Sequence, residues 1–537
     1  MSAAGGREWT PERSVAGKRN PWSIVGVISI ATFMVVLDAS IANVALAHIA
    51  GSLSASYDEA TWVVTSFLIA NAIIIPISGW LADLIGRKRY YMFSVALFTV
   101  ASFVCGISNS LTMLVIARIF QGLGGGGLTP VEQSMLVDTF PPEKRGPAFA
   151  AYGIVVIVGP IFGPTLGGWI TDTFSWGWVF LLNVPVGILS LVLVSMYVDE
   201  PEAIRRRSRE MRAGGLRMDF VGFALIALAL GCLEVTLDRG QRNDWFASPT
   251  ICITSAVAVV SFLAFIPWEL SQRDPIVRIR MYSQRNFGIA NLFMVLMGVI
   301  VFGTTQFIPQ FLQEVMGYSA TDAGLALTLG GLATLLVMPV AGLLTGRIDP
   351  RILIGTAFAI QTAAMWNLSH FNTMISFNDA AVARLIQSVG LPFLFVPVSN
   401  AAYIGLAPEE SNQASALLNV SRNLGGTFGI SLVQTMLAQR SQVHQSQYVE
   451  SLNPLNPNYV HALAQITNAL VGRGIEQAQA AKMAAALLYR QLLQQSAMLS
   501  YIDVFHTLMI LVALALPLTL LMRGPGKQQA GGAAPVP

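Results

Sequence analysis

Hydropathy divides this chain into fourteen apolar stretches, and nothing else in the sequence limits its fold so strongly. They run 24–48, 60–82, 90–107, 110–136, 147–171, 178–198, 218–237, 248–269, 286–313, 321–345, 352–369, 378–404, 412–438 and 500–522. In a bilayer core no water reaches the backbone, so a spanning segment must satisfy its own N–H and C=O groups; stretches of this length do so as helices. The expected fold class is an all-α polytopic membrane protein with 14 transmembrane helices. With 54% of residues hydrophobic and 11% charged, the composition excludes the several soluble domains that 537 residues would otherwise suggest. Cys105, Cys232 and Cys252 stand singly in apolar stretches, giving neither a disulfide framework nor a metal site. The start is polar and basic, and the first apolar stretch lacks a small-residue cleavage site, so it reads as a retained span.

An even span count puts both termini on one side. Of the 32 Lys and Arg, 23 lie outside the spans on that side and 6 on the other. Positive charge marks the cytoplasmic face, so both termini are expected there. The remaining three, Arg118, Arg384 and Arg422, lie inside spans.

An internal repeat sets the architecture. Ala117-Arg118-Ile119-Phe120-Gln121 is echoed 266 residues later by Ala383-Arg384-Leu385-Ile386-Gln387, and Gly159 and Gly163 by Gly425 and Gly429 at the same offset. GWLADLIGR from Gly79 is matched by GLLTGRIDPR from Gly342, at 263. Spans 1–6 therefore correspond to spans 9–14, with spans 7 and 8 inserted, which is the plan of transporters built from parallel repeats. The expected division is a cytoplasmic N-terminus at 1–23, an N-terminal six-helix half at 24–198 and a basic cytoplasmic linker at 199–217. Two inserted helices follow at 218–269, then a C-terminal six-helix half at 286–522 and a cytoplasmic tail at 523–537. The linker, with Arg205, Arg206, Arg207, Arg209 and Arg212, reads as a topology anchor or a segment lying near anionic lipid. Residues 439–499 read as a periplasmic helical hairpin, with a break at Gly472-Arg473-Gly474.

Charges inside spans are expensive and mark function. Asp38 is the only carboxylate in the middle of span 1, about 15 Å from its outer end by helical rise, and Arg118 lies about 12 Å in from the same side. The two can meet, either as a static buried pair or as one that loads and releases a proton. Glu132 lies fourteen residues after Arg118, a spacing that returns to nearly the same helix face and points it to the cytoplasmic mouth of a cavity, as a wetted polar group, cation contact or second proton site. Asp83, Gly86 and Arg87, with Lys88 and Arg89, occupy the loop after span 2. The cations serve topology, and with Asp138 as partner for Arg87 the group can latch the halves together. Glu234 lies in inserted span 7, away from the expected path, and receives no role. His48, His370, His444, His461 and His506 are scattered; Asp503 beside His506 reads as a surface group.

The motifs LDASIANVAL, GWLADLIGRKR, RIFQGLGGG, GPIFGPTLGGW, WGWVFLLNVPVG, LDRGQRNDW, LQEVMGYSATDAG and SRNLGGTFG occur in this order along nearly the whole chain. Together they resemble the major facilitator superfamily, in its fourteen-span drug:proton antiporter branch of the EmrB/QacA type. The resemblance implies that Asp38 couples proton movement with Arg118 as its modulator. It also implies that Gly159, Pro160, Gly163, Pro164, Gly167 and Gly168 form the antiporter motif of span 5. Arg422, with Asn419 and Asn423, matches the pattern of span 13, where packing and function are both open. A substrate cavity between the halves would draw on Gln121, Glu132, Gln306, Phe307, Gln310, Gln387, Asn419 and Arg422.

The expected activity is proton-coupled efflux of hydrophobic small-molecule drugs by alternating access, in the bacterial inner membrane. The resemblance implies a periplasmic adaptor (membrane fusion) protein and an outer-membrane channel as partners. The alternative on the same fold is a proton-linked importer of one metabolite. No cofactor is expected: Gly122–Gly127 satisfies a dinucleotide pattern but lies in a span with no preceding strand, and no phosphate-binding loop for ATP occurs. Without a nucleophile–base or metal constellation, an enzyme is not expected, and nothing suggests nucleic acid as a partner. Two departures from the family stand out. Span 13 has no carboxylate, which argues against dicationic substrates, and Gly346 falls where the 263-residue offset aligns Asp83.

Overall fold

Each apolar stretch forms a helix, and polar caps or glycines set many of the ends. A computed structural model describes residues 19–213, 219–272, 275–373 and 375–522. We number the long helices in chain order. The first six are α1 (Pro21–Ser52), α2 (Trp62–Ile85), α3 (Arg87–Gly106), α4 (Leu111–Gly126, resuming after Gly127 as Leu128–Thr139), α5 (Pro142–Thr173) and α6 (Asn183–Tyr197). Then come α7 (Phe220–Arg239), α8 (Pro249–Ser271), α9 (Arg285–Glu314), α10 (Ala320–Leu344), α11 (Pro350–Ser369), α12 (Phe377–Ala401), α13 (Ser411–Val449) and α14 (Gln477–Leu518). Asn20 caps α1 through Trp22 N–H at 3.0 Å, with Pro21 at the first helical position, and Ser110 caps α4 through Met113 N–H at 3.3 Å.

Among the described residues, twelve helices are long and apolar enough to cross a membrane. The other two long helices, α5 and α13, fall on expected spans 5 and 13. Polar residues such as Asn412, Gln413, Asn419, Arg422 and Asn423 dilute the apolar character of α13.

Packing follows the repeat. In the first half α1 packs on α5, α2 on α4 and α3 on α4; in the second, α9 packs on α13, α10 on α12 and α11 on α12. The halves meet along two matched seams, α2 with α13 and α5 with α10. Between them, α7 and α8 pack on each other, and α7 touches both α2 and α13. The linker forms a helix, Glu202–Ala213, held against the end of α2 where Ser208 donates to the Leu84 carbonyl at 2.5 Å. Residues 1–18, 214–218 and 523–537, which carry the rest of the expected N-terminus, linker and tail, lie outside the described residues.

Two expectations need correction. The segment 439–499 does contain a helical hairpin, Pro457–Val471 turning at Gly472–Gly474 back along the start of α14, but it is not set apart from its spans. α13 continues without a break to Val449, and α14 starts at Gln477, with only the helix Pro457–Val471 between them, packed along α14. Neither 439–449 nor 477–499 contains Gly or Pro, so hydropathy stops where the apolar residues stop while the helix does not. The equivalence of Gly346 with Asp83 also fails. Gly346 (φ +98°) follows the end of α10 as Gly86 (φ +99°) follows α2, but it lies four positions after Gly342 where Gly86 lies seven after Gly79, so the 263-residue offset does not hold through the turn.

Candidate functional site

Asp38 sits at the centre of the first half, in a cage built from five helices and the short helix before α6. Arg118 Nη1 donates to its Oδ2 at 2.6 Å; Gln121 Nε2 and Asn183 Nδ2 donate to its Oδ1 at 2.9 and 2.7 Å. Arg118 is fully buried. Its Nε donates to the Val63 carbonyl at 2.9 Å and its Nη1 to Gln121 Oε1 at 2.7 Å. Its guanidinium lies 4.2 Å from the centre of the Phe67 ring and 5.5 Å from that of Phe180. Gln121 also donates to Ser102 at 2.7 Å. Spacing of three residues puts Arg118 and Gln121 on one face of α4, which is why they act together.

Three donors and no acceptor face the Asp38 carboxyl, an arrangement suited to a carboxylate. A proton added there removes the charge that these donors are bonded to and brings an O–H for which none of the three is an acceptor.

The second half repeats the cage without the acid. Arg384 donates to Gln387 Oε1 at 2.6 Å and to Thr304 and Thr305, each at 3.3 Å. Thr304 stands 266 residues after Asp38, so a hydroxyl occupies the carboxylate's equivalent position.

The span-5 glycines pack on the same turn of α1 that carries Asp38. A Cβ on Gly159 would lie 2.8 Å from Val36, one on Gly163 2.4 Å from Ser40 Oγ, and one on Gly167 2.8 Å from Ile41. Gly168 faces open space and does not belong to this contact. The side chains of Pro160 and Pro164 lie outside the described residues.

A second polar cluster joins the halves at the α2–α3 loop. Arg87 pairs with Asp138 and donates to Ser411 Oγ at 3.0 Å; Asn412 bonds Asp83 and Ser134; Asn419 donates to Gln133 at 2.7 Å. Gly86 takes its positive φ where a Cβ would lie 2.7 Å from Glu200, which accepts from Arg87 N–H at 2.7 Å. Burial raises the Glu200 carboxyl above its ordinary pKa.

Other sequence candidates lie elsewhere than expected. Glu132 is fully buried inside the first half, where it accepts from Thr32 and Thr32 meets Tyr152 at 3.2 Å. Gly127 keeps helical dihedrals and Arg118 and Glu132 are both fully buried, but the face they share is packed against α1 and α5 at Glu132, which therefore does not open on a wetted mouth. Gln121 and Gln387 are enclosed by their arginine cages, and Phe307 is buried in the second half's core beside Phe311 and Leu312. Gln306 is exposed and Gln310 is half-buried, the latter bonded to Glu314 at 3.0 Å. Asn419 belongs to the inter-half cluster, and Arg422 lies within electrostatic reach of Tyr152 across the seam. Asp503 pairs with Arg440 at 2.5 Å and His444 at 2.8 Å, not with His506. Sequence reasoning passed over Asn183, Ser411 and Asn412. The one available signal was an amide or hydroxyl interrupting an otherwise apolar span.

The sequence pattern of the Major Facilitator Superfamily matches residues 28–430, three-quarters of the chain. The chain belongs to that superfamily. Multidrug export protein EmrB of Escherichia coli (strain K12) is 40% identical over 89% of this chain and 90% of its own length. EmrB of Haemophilus influenzae is 42% identical over 82% and 85%. Fatty acid resistance protein FarB of Neisseria gonorrhoeae is 32% identical over 94% and 96%. Solved structures share the fold at low identity. A double-tryptophan mutant of XylE superposes with a TM-score of 0.61 at 14% identity, covering 94% of this chain and 96% of that one. The human organic anion transporter MFSD10 gives 0.57 at 13%, covering 92% and 100%. This superfamily member is thus a multi-pass, EmrB-type membrane protein.

Proposed function

We propose that this chain is a proton-coupled multidrug exporter that moves hydrophobic small molecules by alternating access, driven by the proton gradient without a cofactor. One observation carries the reading: the single carboxylate in the two matched arginine cages sits on the turn of α1 packed by the span-5 glycines. A proton arriving at Asp38 removes the charge to which Arg118, Gln121 and Asn183 are bonded, and any shift of α1 is felt directly by α5. The names of the EmrB relatives support export of drugs rather than uptake of one nutrient. Arg87, Asp138, Asp83, Ser411 and Asn412 act as the latch that holds one face shut, and that face is the cytoplasmic one if positive charge marks it. Gln306, Gln310, Asn419 and Arg422 remain candidates for the drug path. The protein is a carrier in the bacterial inner membrane with both termini inside, not an enzyme. The test is drug-driven proton movement in proteoliposomes, screened over weak acids, neutral dyes and organic cations. Protons moving opposite to several unrelated compounds support the reading; protons moving together with one solute alone overturn it.

A periplasmic adaptor and an outer-membrane channel complete the proposed route. Support comes from the outward end of α14, the helix Pro457–Val471 and the connector before it, which expose Leu455, Val460, Val471, Met483, Leu487 and Tyr489. Leu492 and Met498 are buried in the bundle, so the informative cut is short. Replacing 450–476 by a Gly/Ser linker is expected to leave proteoliposome transport unchanged while lowering drug resistance at least tenfold in cells with an outer membrane. Full resistance from the shortened protein would leave the segment no docking role.

A further inference from the structure

Helix α7 belongs to neither of the matched halves, yet it is bonded to both. Its outer end is fixed to the first half. Thr65 Oγ1 donates to Asp238 at 2.6 Å, Arg239 Nη2 donates to Thr61 Oγ1 at 2.9 Å, and Arg239 pairs with Asp58 at 3.6 Å. One turn inward, Glu234 is only 4% exposed and turns to the second half, where Thr427 Oγ1 of α13 lies 3.1 Å from each carboxyl oxygen. Thr427 Oγ1 is also 3.2 Å from the Asn423 carbonyl of its own helix.

A hydroxyl has one proton to donate. With Glu234 ionised, Thr427 gives that proton to the carboxylate and the Asn423 carbonyl loses its side-chain partner. With Glu234 protonated, the carboxyl donates to Thr427 Oγ1, which is then free to bond back to Asn423. The two hydrogen-bond patterns differ by one proton, and they lie across the seam between α7 and α13. An ionisable group in a span with so little compensation is costly to keep unless it is used. Among the described residues, Asp238 on α7 is the charged group near Glu234. α2 presents Ile69 and Ile73 beside Gly231, α8 presents Thr254 to Thr236, and α13 presents Thr427.

We propose that Glu234 binds and releases a proton in the transport cycle, as a second proton carrier housed in the inserted helix pair, and that Thr427 transmits its state to α13. The O–H bond forms with a proton from water on the side to which the seam is open, and breaks when the proton leaves to water on the other. This rests on the proton-coupled reading above and adds a residue to it.

The test uses the full chain in proteoliposomes. Infrared difference spectra recorded during pH titration should show a carboxyl band that is absent in Glu234→Gln and displaced in midpoint by at least half a pH unit in Thr427→Val. With pyranine inside the vesicles and Nile red as the neutral dye, Glu234→Gln should move one proton fewer per dye than the wild type. A purely structural glutamate would alter rate but not this ratio. Where Glu234→Gln does not fold, the Thr427→Val midpoint decides, and an unchanged midpoint overturns the proposal. A coupled wild type with an equal proton count in Glu234→Gln overturns the Glu234 assignment alone. A wild type that carries the dye without protons overturns the coupled reading itself, and this proposal with it.

Discussion

Asp38→Asn is expected to reduce drug-driven proton movement by at least about 100-fold while the protein remains folded and inserted. The amide fills the same space, but it cannot ionise, and its NH2 group now meets a ring of donors. Arg118, with no exposure to solvent, loses the charge that compensates it. Removing one partner of a buried pair costs about 3–5 kcal/mol, more than enough for such a loss if the arrangement is part of the cycle. Arg118→Ala should be as inactive. Arg118→Lys should retain part of the activity, since it keeps the charge but loses the planar fork that bonds Asp38, Gln121 and Val63 together. The check is pyranine-reported proton exchange by purified variants whose size-exclusion profile and thermal unfolding match the wild type. Near-normal exchange in Asp38→Asn would remove Asp38 from the coupling role.

Gly163→Leu should be the second most damaging change, for a steric reason. Even a Cβ at this position would sit 2.4 Å from Ser40 Oγ and 2.5 Å from Ser40 Cβ, so a leucine forces α5 away from α1. Forced overpacking costs about 1–3 kcal/mol or more. The displaced turn is the one bearing Asp38, so transport is expected to fall at least about tenfold even in molecules that fold. Gly168→Leu is the matched control: a Cβ at Gly168 meets nothing within 4 Å, and transport should stay within about twofold of wild type. Equal tolerance of both substitutions, measured as dye export per inserted molecule, would show that the glycine face does not transmit movement from α1.

The fold was readable because a bilayer leaves a chain few choices. Long apolar stretches must become helices, and the matched Arg-x-x-Gln pairs carry the repeat in the sequence itself. The meeting of Asp38 and Arg118 followed from two depths along two helices. What failed were inferences that needed helix continuity or orientation. Glu132 was assigned to a mouth by its helix face, but that face is covered there by Thr32 of α1 and Tyr152 of α5. Phe307 and Gln387 were assigned to a cavity as aromatic and amide side chains on spans expected to line it, but residue type does not say which way a helix is rotated. Glu234 was set aside because α7 lies outside the repeat. Its bond to Thr427 depends on how α7 packs against α13, and periodicity carries no record of that.

The length of α13 has a mechanical consequence. This one helix begins at the latch with Ser411 and Asn412, passes Arg422 and Thr427 midway, and ends at Val449. Its 39 residues make a rod about 58 Å long, so each degree of tilt about its centre moves either tip by about 0.5 Å. A small rotation that parts Asn412 from Asp83 therefore moves the opposite end by a similar distance in the opposite direction, as with a lever pivoting in the bilayer. Anything resting on that far tip would feel which way the transporter is open without touching the drug or the proton.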